Sequence, residues 1–137
     1  MWLRDQAPAQ ADEWTPLVER ETLVEASPEE VWEAITDEDR LEEWLAPEVE
    51  LDPVEGGEIA VRDGDDERSG VVETVEENER FAFTWSRPGE DESFVVFTIE
   101  AIPAGTRVRV VETPMAVGGW APKLARLEHA LRFVLVA

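Results

Sequence analysis

The chain has 137 residues and carries 33 Asp and Glu against 12 Lys and Arg, so its formal net charge at pH 7 is −21. This charge disfavours binding to nucleic acid or to anionic membranes, because both require cations that neutralise phosphates. The absence of cysteine excludes disulfides, thiol catalysis and cysteine-ligated metals. No apolar run approaches the roughly 20 residues of a membrane helix, and the start of the chain lacks the apolar core of a signal peptide. We therefore expect a cytoplasmic, single-domain protein.

The first residues lack a clear hydrophobic period. We predict an N-terminal lead-in over residues 1–16, with an Ala-Pro-Ala stretch that favours flexibility, and a single domain over residues 17–137. The domain begins with a strand over residues 17–26, in which Val18, Thr22 and Val24 alternate with glutamates.

Two short helices are predicted after this strand. Ser27 can accept a hydrogen bond from the backbone N–H of Glu30, Pro28 suits a first helical turn, and Glu30 can complete a capping box. A second helix starts at Asp37 and ends before Pro47, because a residue that precedes proline avoids the helical conformation. The apolar stripes of the two helices consist of Val31, Trp32 and Ile35, then of Leu41, Trp44 and Leu45.

The middle of the chain predicts a series of antiparallel strands separated by turns rich in Gly, Asp, Asn and Pro. The strands are predicted at residues 48–51, 58–62, 70–76, 80–86, 93–101 and 107–112. A long amphipathic helix should begin near Gly119. Its apolar face contains Trp120, Leu124, Leu127, Leu131 and Leu135, widened by Phe133 and Val134.

Several short motifs occur in a characteristic order along this pattern. They are residues 25–32, Thr36-Asp37, 41–44, Gly56-Gly57, 70–73, 81–85, 105–108 and Gly119-Trp120 with Leu124 and Leu127. In this order, from residue 17 to the end, the chain resembles the START-like and Bet v 1-like helix-grip superfamily (SRPBCC), in the branch of activator of Hsp90 ATPase homologues. The resemblance implies an α+β helix-grip fold: a curved antiparallel sheet with two short helices after the first strand and a long C-terminal helix.

The resemblance also implies an apolar ligand cavity between the sheet and the last helix. Six tryptophans, five phenylalanines and no tyrosine supply aromatic candidates for its walls. Plain core packing is the alternative role for these side chains, and periodicity does not settle which sheet face points inward. The ligand-binding candidates are Trp44, Phe83, Trp85, Phe97, Met115, Trp120 and Leu124, with Trp120 at the entrance or wall.

Catalytic and metal-binding motifs are weak in this sequence. His129 is the only histidine, and its helical neighbours include no carboxylate that could orient it, so we predict no catalytic residue. The acidic run Asp63-Gly64-Asp65-Asp66-Glu67 lacks the spacing of a calcium loop and predicts a hairpin turn. We expect neither a metal site nor a cofactor.

Buried carboxylates would be more informative than exposed ones, because burial perturbs their chemistry. Glu73 in mid-strand and Glu112 at the end of the last strand are the candidates. The alternative is an ion pair at the edge of the core with Arg80, Arg107 or Arg109.

Three functions remain open. The first is a small-molecule binding protein for an apolar ligand. The second is a chaperone-associated or regulatory domain that binds a protein partner or a second copy of itself. The third is a cyclase- or hydrolase-type enzyme that uses cavity carboxylates.

Residues 116–137 carry Lys123, Arg126 and Arg132 against Glu128. The cations of the last helix therefore either relieve repulsion from the acidic body or form a docking surface.

Overall fold

The computed structural model describes residues 18–113 and 120–136, and the side chains of the second range as far as Leu131. The predicted lead-in and Met115 lie outside the described residues, as do the side chains of Phe133, Val134 and Leu135. The elements in chain order are β1 (Val18–Val24), α1 (Pro28–Thr36), α2 (Glu38–Trp44), β2 (Glu48–Leu51), β3 (Glu58–Asp63), β4 (Asp66–Glu76), β5 (Arg80–Ser86), β6 (Ser93–Ile102), β7 (Gly105–Thr113) and α3 (Trp120–Val136).

The seven strands form one antiparallel sheet in the order β1-β7-β6-β5-β4-β3-β2. From β2 to β7, each strand pairs with the next along the chain, and β1 closes the far edge against β7. The sheet curves around the three helices, so the predicted helix-grip fold is confirmed. No helix in the described part of the chain is long and apolar enough to cross a membrane.

Side-chain caps fix the starts of the two short helices. The hydroxyl of Ser27 accepts a 3.2 Å hydrogen bond from the backbone N–H of Glu30, and the carboxylate of Asp37 accepts one of 3.1 Å from that of Arg40. Each bond satisfies a donor that the first helical turn leaves unpaired. The helices are joined by the indole of Trp44, which donates a 2.9 Å bond to the carbonyl of Ala34.

Strand β4 begins at Asp66, four residues before the predicted start. The acidic run was expected to be a longer turn, but Gly64 and Asp65 alone make the reversal, with Gly64 at φ = 65°. A two-residue hairpin needs such positive φ values, which glycine adopts without steric cost. The prediction that this run forms a hairpin turn is confirmed.

Strand β4 passes very close to β5 at Gly70. A Cβ atom placed on Gly70 would lie 1.7 Å from the carbonyl oxygen of Thr84. Gly70 stands opposite Trp85 in the ladder, so the missing side chain allows the backbone of β4 to approach that of β5 beside the tryptophan. The position therefore requires glycine for steric reasons.

The core lies between the concave face of the sheet and the helices. Four residues of the predicted α3 face are buried, with exposures of 3 % or less: Trp120, Leu124, Leu127 and Leu131. In β5, Phe81, Phe83 and Trp85 alternate toward the same side. Phe94 of β6 points away from it and is 40 % exposed. Periodicity did not decide which face of the sheet points inward. The structure shows that it is the face that carries Phe83, Trp85 and Phe97.

Candidate functional site

A buried carboxylate lies in this aromatic core. Glu112 of β7 is fully buried and accepts three hydrogen bonds from side chains. Its Oε2 accepts from Nε1 of Trp85 at 2.8 Å and from the hydroxyl of Ser93 at 2.5 Å, and its Oε1 accepts from Nε1 of Trp120 at 2.8 Å. Hydrogen bonds to a charged acceptor are worth about 1.5–3 kcal/mol each, which offsets part of the cost of burial.

Strand register brings these groups together. Thr106, Val108, Val110 and Glu112 alternate inward along β7, so Glu112 continues the buried face of its strand. It pairs with Val95 of β6, and Ser93, two positions away on the same face, pairs with Trp85 of β5. Three neighbouring strands therefore present Glu112, Ser93 and Trp85 to one point, and α3 supplies Trp120.

The aromatic candidates surround this point in direct ring contact. Trp85 and Trp120 stack with centroids 5.9 Å apart and planes at 19°. Phe97 meets Trp120 edge-on at 5.6 Å and Trp44 edge-on at 6.0 Å. Phe83 completes the cluster at 5.2 Å from Trp85. Offset and edge-on pairs of this kind add stability beyond the buried area.

The structure thus brings together six of the seven predicted ligand-binding residues. Trp44, Phe83, Trp85, Phe97, Trp120 and Leu124 are each 3 % exposed or less. We call these six residues with Glu112 and Ser93 the aromatic cluster. Their ability to bind a ligand stays a prediction.

The predicted ion pairing of Glu112 is wrong. Arg107 and Arg109 lie on the opposite face of β7, where Arg107 pairs with Glu100 at 2.7 Å and Arg109 with Glu19 at 3.3 Å. Glu73, the other candidate, follows the buried Val72 and is exposed, at a β-bulge between Val72 and Thr74. Among the acidic side chains that the structure describes, only Glu112 is buried.

Sequence reasoning missed two members of the site, Ser93 and Arg68. Ser93 is the first residue of β6 and alternates with the same period as Val95 and Phe97. The alternation in the sequence therefore already indicated that Ser93 faces the same side as these two residues. Arg68 was missed because β4 was predicted to start two residues after it. Its guanidinium carbon lies 4.8 Å from the centroid of the Trp85 ring, in a cation–π arrangement.

A cleft reaches Trp85 from the surface between the β3–β4 hairpin and α3. We call it the lateral cleft. Its inner part has a volume of about 20 Å³, enough for a water molecule. A separate surface depression of about 340 Å³ also has Ala46 and Asp63 in its lining. The inner part is lined by Ala46, Val61, Asp63, Asp66, Arg68, Trp85 and Lys123.

Neighbouring charges and burial shift the pKa values of Asp66 and Lys123 at the lateral cleft. Hydrogen bonding to Arg87, with further help from Arg68, lowers the pKa of Asp66 to about 2 against the opposing effect of burial. Burial lowers the pKa of Lys123, and so does repulsion from Arg68 and Arg126, although Asp63 and Asp66 act in the opposite direction. The cleft therefore contains a partly buried ammonium group near two other cations.

The only histidine, which was considered for catalysis, is on the surface. His129 is exposed on α3. Among the described residues, no group of His, Asp and Glu side chains has the geometry of a metal site.

Comparison with known proteins addresses the family directly. Residues 25–130 match the family described as Activator of Hsp90 ATPase homolog 1-like protein, a range that extends from the end of β1 into α3. The chain belongs to this family. The resemblance inferred from the motifs is confirmed. None of the curated proteins compared with the chain matches its sequence.

Solved structures of similar proteins share the fold of this family member. Protein MLL2253 from Mesorhizobium loti is 25 % identical, with a TM-score of 0.77 over 85 % of this chain and 96 % of that one. DynU16, from the dynemicin biosynthetic locus, is 28 % identical with a TM-score of 0.76; 85 % of this chain aligns with 47 % of it, so this chain spans about half its length. The Aha1 dimer from Colwellia psychrerythraea is 20 % identical, with a TM-score of 0.75 over 84 % of this chain and 95 % of that one.

Proposed function

We propose that this protein binds a small apolar molecule at the aromatic cluster, beneath α3, and that the molecule enters through the lateral cleft. The observation that carries the proposal is the burial of Glu112 among aromatic rings. Ligand sites are typically apolar surfaces with a few placed polar groups, and Glu112 gives this face a hydrogen-bond acceptor. A face that served packing alone needs no buried carboxylate, because burying a charged group costs free energy.

The relatives support a ligand-binding role of this general kind. The family and its wider superfamily include ligand-binding and cyclase-like proteins. DynU16 belongs to the dynemicin biosynthetic locus, and 85 % of this chain aligns with 47 % of that protein. The identity of the ligand does not follow from these likenesses.

Binding requires the aromatic cluster to open. Its rings are in contact, and the inner part of the lateral cleft holds little more than a water molecule. Arg68 covers one face of Trp85 at the cleft, and Trp120 is the first residue of α3. We infer that displacement of Arg68 makes room for the ligand, which then contacts Trp85 and Trp120.

The test is a titration with N-phenyl-1-naphthylamine, a neutral apolar probe, followed by energy transfer from tryptophan. Wild-type protein should bind one probe per chain. Trp120→Phe, which removes the stacking partner of Trp85 and a donor to Glu112, should weaken binding several-fold. Phe94→Leu, on the opposite face of the sheet, is the matched control and should leave binding unchanged.

Two results would contradict the proposal. One is a wild-type protein that binds no neutral probe. The other is an equal loss of affinity in Trp120→Phe and Phe94→Leu, which would place the probe elsewhere. Native mass spectrometry of the purified protein, searched for co-purified small molecules, then identifies the natural ligand.

A second candidate function is protein binding through the outer face of the sheet. Val71, Thr84, Phe94 and Thr113 form one cross-strand row there, and Val71 and Phe94 are each 40 % exposed. Exposed apolar rows of this kind favour contact with another protein. A second copy of the chain is the simplest occupant, as Aha1 from Colwellia psychrerythraea is a dimer. Light scattering over a range of concentrations should detect a dimer that Phe94→Glu disrupts; a wild-type monomer at every concentration would contradict this candidate.

The proposal does not extend to catalysis. An acid–base mechanism of the cyclase or hydrolase type would use paired carboxylates in the cavity. Among the side chains that the structure describes, Glu112 has no second buried carboxylate beside it.

A further inference from the structure

We propose that the lead-in, residues 1–16, folds back over the outer face of the sheet and covers an uncharged patch there with the indole of Trp14. This inference goes beyond ligand binding at the aromatic cluster and does not depend on it. It concerns the surface of the second candidate function, and it names a segment of the same chain as the occupant of that surface.

The patch consists of two adjacent cross-strand rows on the outer face of the sheet. One row contains Val71, Thr84, Phe94 and Thr113, and the other contains Thr74, Ala82, Val96 and Val111. We call these eight residues the outer patch. None of them is charged, although charged residues make up 33 % of the chain. Val71 and Phe94 are exposed in the described structure, so burial of their apolar area by another segment would be favourable.

The neighbouring part of the same face is charged. Arg107 of β7 pairs with Glu100 of β6 at 2.7 Å, and Arg109 of β7 pairs with Glu19 of β1 at 3.3 Å. The outer face therefore divides into an ion-paired part, which suits contact with water, and the outer patch, which does not. The division points to a contact that is made by the outer patch alone.

The lead-in joins the sheet beside the end of the outer patch. Val18, the first residue of β1, stands opposite Glu112 of β7. The next residue of β7, Thr113, stands opposite Phe94 of β6. Pro16 has no backbone N–H to donate, which disfavours an extension of β1 along the edge of β7. A path across the sheet is the alternative for the chain that precedes Val18.

The length of this chain fits such a path. Trp14 precedes Val18 by four residues, which span at most about 13 Å when they are extended. Phe94 lies two strands away from β1, a distance of about 10 Å at the usual spacing of neighbouring strands. The indole of Trp14 can therefore reach Phe94, and aromatic rings in contact gain stability beyond the area that they bury.

Charge and tethering favour the lead-in over a second copy of the chain. Each copy carries a net charge of −21, so contact between two copies adds repulsion between like charges. The lead-in adds little repulsion, because it contains only Arg4, Asp5, Asp12 and Glu13 as charged residues. It is also part of the same chain, and a short tether gives an effective concentration of about a millimolar or more. A second copy that binds the outer patch must therefore displace the lead-in.

A single fluorescent label tests the contact in the full chain. The sequence has no cysteine, so Thr84→Cys provides one labelling site in the middle of the outer patch. Bimane attached there is quenched by a tryptophan that touches it. Trp14→Phe should therefore abolish most of the quenching. Asp65→Cys, in the turn between β3 and β4, is the matched control, and bimane attached there should not respond to Trp14→Phe.

Dilution of the labelled protein distinguishes the two occupants. Quenching by the lead-in of the same chain is independent of protein concentration, whereas quenching by a second copy decreases as a dimer dissociates. Quenching that depends on concentration would overturn the inference and support the second candidate function. The inference also fails if Trp14→Phe leaves the label at position 84 unchanged, or changes both labels equally.

A second measurement needs no label. Trp14→Ala and Phe94→Ala should each lower the midpoint of urea unfolding, and the double variant should lower it by less than the sum, because both substitutions remove one shared contact. Leu23→Ala is the matched control, because Leu23 is an exposed apolar residue near the opposite end of β1 from Val18. Its effect should add to that of Trp14→Ala. Additive effects of Trp14→Ala and Phe94→Ala would contradict the contact.

Discussion

Nε1 of Trp120 donates a 2.8 Å hydrogen bond to Oε1 of Glu112, and this bond ties the first residue of α3 to the end of β7. The same carboxylate also accepts from Trp85 of β5 and Ser93 of β6. One buried side chain therefore connects three strands and the start of the last helix.

Glu112→Gln should destabilise the protein. The amide keeps the shape of the side chain but replaces one acceptor oxygen with a donor, which would face an indole N–H or the Ser93 hydroxyl. A buried donor left without an acceptor costs about 1–3 kcal/mol, and we expect a loss of that size in urea unfolding. Glu73→Gln makes the same chemical change at an exposed position and should have little effect. Equal stability of Glu112→Gln and wild type would show that the three hydrogen bonds contribute nothing.

Gly70→Ala should be more damaging than its small size suggests. The added methyl group would overlap the Thr84 carbonyl and force β4 away from β5 beside Trp85. We expect a loss of at least about 2 kcal/mol, because backbone atoms cannot give way as a flexible side chain can. Ser69→Ala, at the exposed neighbouring position, should change stability by less than about 0.5 kcal/mol. A stable Gly70→Ala variant with unchanged circular dichroism would contradict this close approach.

Asp66→Asn should lower the melting temperature at pH 6, and the difference from wild type should shrink in acid. The pKa of Asp66 in the folded protein, about 2, lies below its ordinary value of 3.8, so its charged form stabilises the fold above about pH 4. That contribution is lost as the pH falls from about 4 toward about 2. Calorimetry of both proteins across this range measures the difference. Asp65→Asn, in the same turn, is the control, and a difference that grew with acid would overturn the assignment.

Salt should stabilise the wild-type protein. With a net charge of −21, repulsion between acidic side chains opposes folding, and the screening length falls from about 10 Å at 0.1 M salt to about 3 Å at 1 M. The melting temperature should rise between these concentrations, by about 3–5 °C for each kcal/mol of relieved repulsion.

The triple variant Glu55→Gln, Asp65→Asn, Glu77→Gln should show a smaller rise with salt. All three side chains are exposed in turns and, within the described residues, make no ion pair. A flat melting temperature in the wild type would mean that local pairs such as Arg107 with Glu100 already balance the charge.

Local signals in the sequence predicted most of the fold. Ser27 and Asp37 cap the helices that they were expected to cap, and β2 and β5 have the predicted bounds. The start of β4 was missed because two acidic residues and an arginine precede Ser69, and such a run of polar residues does not alternate in hydrophobicity. Tertiary pairing with β3 decides that boundary.

The candidate site was harder to predict than the fold. Six members of the aromatic cluster could be named from the sequence as apolar residues that alternate along strands or repeat along helices, although periodicity left the inward face of the sheet open. The role of Glu112 could not, because its partners are 8, 19 and 27 residues away and meet only through strand register. Arg109, which is close to Glu112 in sequence, lies on the outer face of β7. The indoles of Trp85 and Trp120 lie on the inner face, where Glu112 is.

The parallel indoles of Trp85 and Trp120 also give the protein an optical property. Two such chromophores, with ring centroids 5.9 Å apart and planes at 19°, are close enough for their electronic transitions to couple, and the coupling gives a paired band in the far-ultraviolet circular dichroism spectrum when the two transition dipoles are skewed. The band depends on both rings, one from the sheet and one from α3, so it disappears when the helix start leaves the sheet. The protein thus carries an intrinsic spectroscopic reporter for attachment of its last helix, readable without any label.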